Sequence, residues 1–150
     1  MFAVITAEME RQVLKMKELV IRAVTDNLQQ VLTFVEEQLG SCRCPTRTLI
    51  QLKVAVEEVF VNIASYAYEG KTGDAAIRME IAGDPPVVTL VFEDCGMPFN
   101  PLAREDPDVT LPAGERQPGN LGIYIVKKTM DDVKYEYADG KNILTLRKQL

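Results

Sequence analysis

The stretch VFEDCGMPFNPLA, residues 91 to 103, changes character halfway along. Val91 and Phe92 end an apolar run; Glu93 and Asp94 follow, then Gly96, then Pro98 and Pro101 around Phe99 and Asn100. A strand reading holds as far as Asp94 and fails beyond it, because proline removes backbone donors and fixes φ while glycine frees it. An aspartate at such a strand end can accept a hydrogen bond from an amino group in a pocket, and Gly96 lets a flat ligand approach the backbone. An ordinary Pro/Gly surface turn accounts for the same residues.

Working outward, AAIRMEIAG (75–83) and PVVTLVFED (86–94) read as two strands joined at Asp84-Pro85, a hairpin. KELVIRAV (17–24) has the half-alternating look of another strand. Thr25, Asp26 and Asn27 then supply capping residues, Leu28, Val31, Leu32, Val35 and Leu39 recur at helical spacing, and Gly40 stops the helix. From Pro45 to about Tyr68 runs a longer helical pattern, apolar nearly all round, which places most of it inside. On the other side, LGIYIVKKTMDD (121–132) predicts a helix, and VKYEYAD and NILTLRKQL flank Gly140-Lys141 as a final hairpin. Residues 4–16 suit a short helix. Residues 95–120 are rich in proline and glycine and lack periodicity; so long a loop in so small a chain is commonly functional, and it reads as a lid. The order β-α-α-β-β-loop-α-β-β predicts one α/β domain over residues 1–150. The expected form is a two-layer sandwich, a mostly antiparallel mixed sheet with helices on one face.

Composition narrows the chemistry. The chain has 150 residues and a formal charge of −5, which argues against nucleic acid, since phosphate neutralisation needs clustered Lys and Arg. An anionic small ligand then requires backbone N–H groups or a metal ion. Histidine is absent, which excludes Cys/His zinc sets and histidine-based nucleophilic triads. Three cysteines, an odd number, read as free thiols in a reducing cytoplasm. Charges at Glu8, Glu10 and Arg11 come too early for a signal peptide, and no apolar run suggests a membrane span.

Two further features carry chemistry. Glu57-Glu58 and Asn62 lie within the greasy helix, and Glu58 and Asn62, four apart, project within about 40° of each other. They either sit at the helix's solvent edge or line a pocket, Asn62 offering an oxygen to a hard cation and Glu58 acting as a base. Gly119-Asn120-Leu121-Gly122 opens a helix, where free N–H groups form either an anion site or a plain helix start. Gly70-Lys71-Thr72 is no phosphate loop: the first glycine of that motif would fall at Ser65, behind a helix rather than a strand.

In this order, AVEEVFVNIASYAY, FEDCGMPFNP and GNLGIYIVKKTMDDVKYEY resemble the GHKL (histidine kinase-like) ATPases. Within these they look most like the bacterial anti-sigma factor serine/threonine kinases of the RsbW/SpoIIAB type, over about residues 17 to 148. The resemblance implies the Bergerat ATP-binding fold with ATP and Mg²⁺ as cofactors. Asn62 would coordinate Mg²⁺ on the phosphates and Glu58 would be the general base. Asp94 would bind the adenine amino group, with Gly96 beneath the ring. Gly119, Leu121 and Gly122 would turn N–H groups to the phosphates. The loop from about Asn100 to Pro118 would be the lid, Arg104 or Arg116 would contact the γ-phosphate, and Asn142 would lie near adenine. Tyr66 stands where many such kinases have histidine, and Asn120 replaces a common glycine or methionine. The implied partners are a STAS-domain antagonist protein and a sigma factor, with a homodimer expected. Three readings stay open: a kinase, an ATP-ordered protein-binding module, and a catalytic domain separated from histidine-kinase partners.

Overall fold

The computed structural model describes residues 16–103, 105, 106, 110 and 120–150. The suggested helix at 4–16 therefore falls outside the described residues save for Met16, and Arg104, Arg116 and Gly119 lie outside them as well. Among the described residues five strands form one sheet: β1 (Lys17–Arg22), β2 (Asp74–Ala82), β3 (Val87–Asp94), β4 (Asp132–Ala138) and β5 (Lys141–Gln149), in the order β1-β2-β3-β5-β4. The expected sheet was mostly antiparallel; every pairing among the described residues is antiparallel. Among the described residues three α-helices complete the layer, α1 (Leu28–Leu39), α2 (Thr46–Asn62) and α3 (Asn120–Thr129).

Alternation decides which face carries them. Along β3, Val88, Leu90, Phe92 and Asp94 are buried while the residues between are half-exposed. Cross-strand register extends this row: Ile77 pairs with Phe92 and Phe92 with Leu144, while Met79 pairs with Leu90 and Leu90 with Leu146. Against this face pack Val31, Val35 and Leu39 of α1 and Leu52, Val56, Val59 and Phe60 of α2. Each fully buried side chain of this size contributes about 1.5–3 kcal/mol. Helix α2 contacts both α1 and α3 as well as sharing the core with the sheet, which is why its sequence is apolar on nearly every side.

The opposite face carries ion pairs among its exposed and half-buried residues. There Arg78 bridges Glu18 and Glu93, and Lys141 also reaches Glu93. Arg78 holds the Glu93 carboxyl below its ordinary range, chiefly through its hydrogen bond.

Two local details place the site. The β4–β5 hairpin turns on Asp139 and Gly140, both at positive φ (53° and 76°), the conformation that a two-residue turn between twisted strands requires. This turn aligns Ala138 with Lys141 and Tyr137 with Asn142, while the separate β3–β5 register sets Asn142 directly opposite Asp94. The expected single helix from Pro45 to Tyr68 instead divides: α2 ends at Asn62 and a π-turn runs from Ile63 to Ala67. Such wider turns occur mainly as single-turn bulges inside α-helices, frequently at functional sites.

Candidate nucleotide site

A cleft opens where α2 and its π-turn face the ends of β3 and β5. Val59, Asn62, Ile63, Tyr66 and Ala67 form one side, Phe92, Asp94, Asn142 and Leu144 the floor, and Met97, Phe99, Pro101, Ile123 and Tyr135 the rest. The walls are mainly apolar, with a few placed polar groups, the usual make-up of a small-ligand site. Asn62, Asp94 and Asn142, named from the sequence, thus meet in one cavity.

Asp94 is only 7% exposed. Its Oδ1 accepts from the Gly96 N–H at 2.9 Å, an Asx-turn, and from Asn142 Nδ2 at 2.9 Å. Oδ2 takes no hydrogen bond from any described residue, so the carboxylate keeps one oxygen for a donor.

Gly96 has a packing role that the sequence did not disclose. A Cβ there would stand 2.2 Å from the Ala67 carbonyl oxygen and 2.6 Å from its carbon. The Met97 N–H donates to that same carbonyl at 3.0 Å, so the strand end is laid directly on the π-turn. Tyr68 braces the junction from behind: its hydroxyl donates to the Asp74 carbonyl at 2.5 Å and accepts from the Cys95 N–H at 3.0 Å. Burial pushes the Tyr68 hydroxyl pKa up, which keeps it protonated and able to donate. Tyr68 and Tyr135 are site residues that sequence reasoning missed. Only the alternation in VKYEYAD, which puts Tyr135 on the face of Val133, could have pointed to one of them.

One helical turn before Asn62, the Glu58 carboxylate lies against the first turn of α3. A Cβ on Gly122 would stand 2.0 Å from Glu58 Oε2, so only glycine lets the carboxylate rest there. Burial, and then neighbouring Glu57, push the Glu58 pKa up. Leu121 and Gly122 sit in that first turn, where N–H groups have no partner inside the helix and the dipole favours an anion. Among the contacts that tie the loop preceding α3, the Phe99 N–H donates to Asn142 Oδ1 (3.1 Å) and Asp106 pairs with Lys127 of α3 (2.5 Å).

A nucleotide fits these groups: an apolar slot with one unpartnered carboxylate oxygen at its floor, and a helix start beyond. Asn62 lines the cleft, and its carboxamide oxygen is a hard donor. That suits a magnesium ion, which takes one or two protein oxygens and completes its shell with phosphates and water.

The family model for the histidine kinase-like ATPase domain matches residues 21–148. This chain belongs to that family. The serine-protein kinase RsbW of one Bacillus cereus strain is 26% identical over 95 residues, 62% of this chain and 59% of the relative. RsbW of Bacillus thuringiensis subsp. konkukian matches equally. The match thus spans about three-fifths of these relatives' length. Among solved structures, the RsbU and RsbW domains of Rv1364c from Mycobacterium tuberculosis superpose with a TM-score of 0.60 at 17% identity. They cover 89% of this chain and 32% of that one. A histidine kinase domain from Erythrobacter litoralis gives 0.50 at 15% identity, over 84% of this chain and 60% of that one. The histidine kinase-like ATPase fold is therefore the architecture here, and the resemblance to RsbW read from three motifs returns in the comparisons.

Proposed function

We propose that this chain is an ATP-dependent serine/threonine protein kinase of the anti-sigma type. It transfers the γ-phosphoryl group of Mg·ATP to a serine of a STAS-type antagonist protein. One observation carries the reading: the Glu58 carboxylate is seated against the start of α3, one turn from Asn62, in the same helix that walls the Asp94 cleft. In this reading adenine recognition belongs to the cleft, and phosphate binding and the base belong to the neighbouring start of α3, one helical turn from Asn62.

In this reading Asp94 Oδ2 accepts from the adenine amino group. The N–H groups of Leu121 and Gly122, with Gly119 before them, hold phosphate oxygens, and Asn62 holds the magnesium ion, which supplies charge neutralisation. Either Arg104 or Arg116 adds a cation at the γ-phosphate. Glu58 takes the proton of the attacking serine hydroxyl. The new bond joins the serine oxygen to the γ-phosphorus, the bond from that phosphorus to the β–γ bridging oxygen breaks, and ADP leaves. Positioning and charge stabilisation do most of this work, because phosphoryl transfer needs little covalent help from protein. The raised Glu58 pKa brings the base closer to working pH, where general bases are most effective.

Partner switching in the cytoplasm follows from the same reading. Unphosphorylated antagonist captures the kinase, phosphorylated antagonist frees it for a sigma factor, and a homodimer is the working form. The RsbW relatives and the RsbU–RsbW neighbour support this assignment. The deciding experiment incubates the protein with γ-labelled ATP and a STAS antagonist encoded beside it. Label on the antagonist serine, lost in Glu58→Gln, is expected. ATP binding without transfer to that antagonist would leave a binding module instead.

A further inference from the structure

Asn142 is 7% exposed, and its side chain is fully engaged. Nδ2 donates to Asp94 Oδ1 at 2.9 Å and to the Met97 carbonyl at 2.8 Å, with a longer 3.5 Å contact to the Gly96 carbonyl. Oδ1 accepts from the Phe99 N–H at 3.1 Å and from the Tyr135 hydroxyl at 2.5 Å. A carboxamide offers two donor hydrogens and an oxygen with two lone pairs, so these partners use it up. Nothing on it is left to address a bound base.

We infer that Asn142 is a positioning residue rather than a base contact. Together with Tyr135 it clamps the segment from Asp94 to Phe99 onto the β4–β5 hairpin and orients the Asp94 carboxylate. By occupying Oδ1, Asn142 and Gly96 leave Oδ2 as the oxygen that selects the ligand. The inference rests on the reading of the cleft as an adenine-nucleotide site and adds how its selectivity is built. Tyr135 is the second member of the clamp. It lies two residues along the same face of β4 from Tyr137, the cross-strand partner of Asn142, and aromatic side chains span that diagonal.

The isosteric change Asn142→Asp separates positioning from packing. It keeps the shape and the acceptor for Phe99 and Tyr135, but turns lone pairs instead of hydrogens toward Asp94 Oδ1 and the Met97 carbonyl. ATP and ITP, which differ at C6 as amino against oxo, are titrated into wild type, Asn142→Asp and Tyr135→Phe with magnesium, and each protein's melting is followed. Wild type should prefer ATP. Asn142→Asp should lose ATP affinity by about tenfold or more, the scale of one hydrogen bond to a charged group, and its ATP-to-ITP ratio should fall with it. Tyr135→Phe should move both quantities in the same direction by about two- to fivefold, the scale of one neutral hydrogen bond.

An unchanged ATP-to-ITP ratio in folded Asn142→Asp overturns the clamp, even where affinity drops, since mere loosening would weaken both nucleotides alike. Should Asn142→Asp fail to fold, the ratio in Tyr135→Phe decides in the same way. Wild type that shows no preference for ATP sinks the adenine reading itself. Wild type that prefers ATP beside equally selective variants sinks only the clamp.

Discussion

Replacing Gly122 with alanine puts a methyl group where the Glu58 carboxylate now rests. The added carbon would stand 2.0 Å from Oε2 and 2.9 Å from Cδ. Ordinary contact between such atoms needs roughly 3.5 Å, so the carboxylate has to swing away by about 1.5 Å. The obstacle is the far end of a flexible side chain, so the α3 backbone need not move. Alanine is also the better helix former, by at most about 1 kcal/mol near a helix start. Stability should therefore hold or rise, with the melting temperature up by no more than about 4 °C. Activity should go the other way: a base displaced by more than 1 Å costs on the order of a hundredfold, or about 2.7 kcal/mol at the barrier. The assay is a thermal melt beside phosphoryl transfer to the antagonist at saturating ATP. Transfer at the wild-type rate, in a protein that melts no lower, would refute the placement of Glu58 as the base.

Gly96→Ala should behave oppositely, because its methyl meets backbone atoms of Ala67, at 2.2 and 2.6 Å, that cannot turn aside. A loss of about 2 kcal/mol in urea unfolding is expected, and none at all would show that the strand end does not rest on the π-turn. Asn62→Ala should cut ATP affinity about tenfold in the presence of magnesium, the scale of one contact to a charged group, while leaving magnesium-free binding nearly unchanged. Equal losses with and without the metal, by calorimetry, would count against Asn62 as its ligand. The Glu93 carboxyl, lowered by Arg78, stabilises the fold above its unfolded-chain pKa, and that stability is lost as pH falls through the folded one. Glu93→Gln should thus cost about 1 kcal/mol near pH 7 and less as the pH falls below about 4. An equal cost in acid would show that the ion pair is not its source.

Much of the fold is legible along the chain because its signals are local. The spacing of Val31, Val35 and Leu39 marks a helix face, and the alternation of Val88, Leu90 and Phe92 marks a strand that packs on one side only. Both record burial, which the period of each element imposes directly. The long helix is legible except at its end. Its apolar residues continue past Asn62 with only Ser65 between them, and the switch to a π-turn at Ile63 depends on where Ala67 must meet Met97. The final hairpin's turn lies one residue earlier than Gly140-Lys141, because Asp139 also takes positive φ.

The site divides along the same line. Asn62 and Asp94 stand out in sequence because a carboxamide and a carboxylate interrupt apolar patterns, where burial is costly without a purpose. Tyr68 and Tyr135 do not stand out, since an aromatic residue in a helix end or a strand is ordinary. Their hydroxyls acquire roles only through partners supplied by other segments.

By itself, then, the sequence determined the five strands, the three long helices and their order, and it offered candidate residues for base, metal and adenine. Periodicity, turn chemistry and out-of-place polar groups are properties of neighbours in the chain. Tertiary structure alone decided that Glu58 rests on Gly122, that Gly96 is pressed against Ala67, and that Asn142 spends its hydrogen bonds on Asp94, Met97, Phe99 and Tyr135. Those contacts join distant segments and hold within a few tenths of an ångström. No periodic pattern encodes so fine a distance; the packing of sheet against helices sets it.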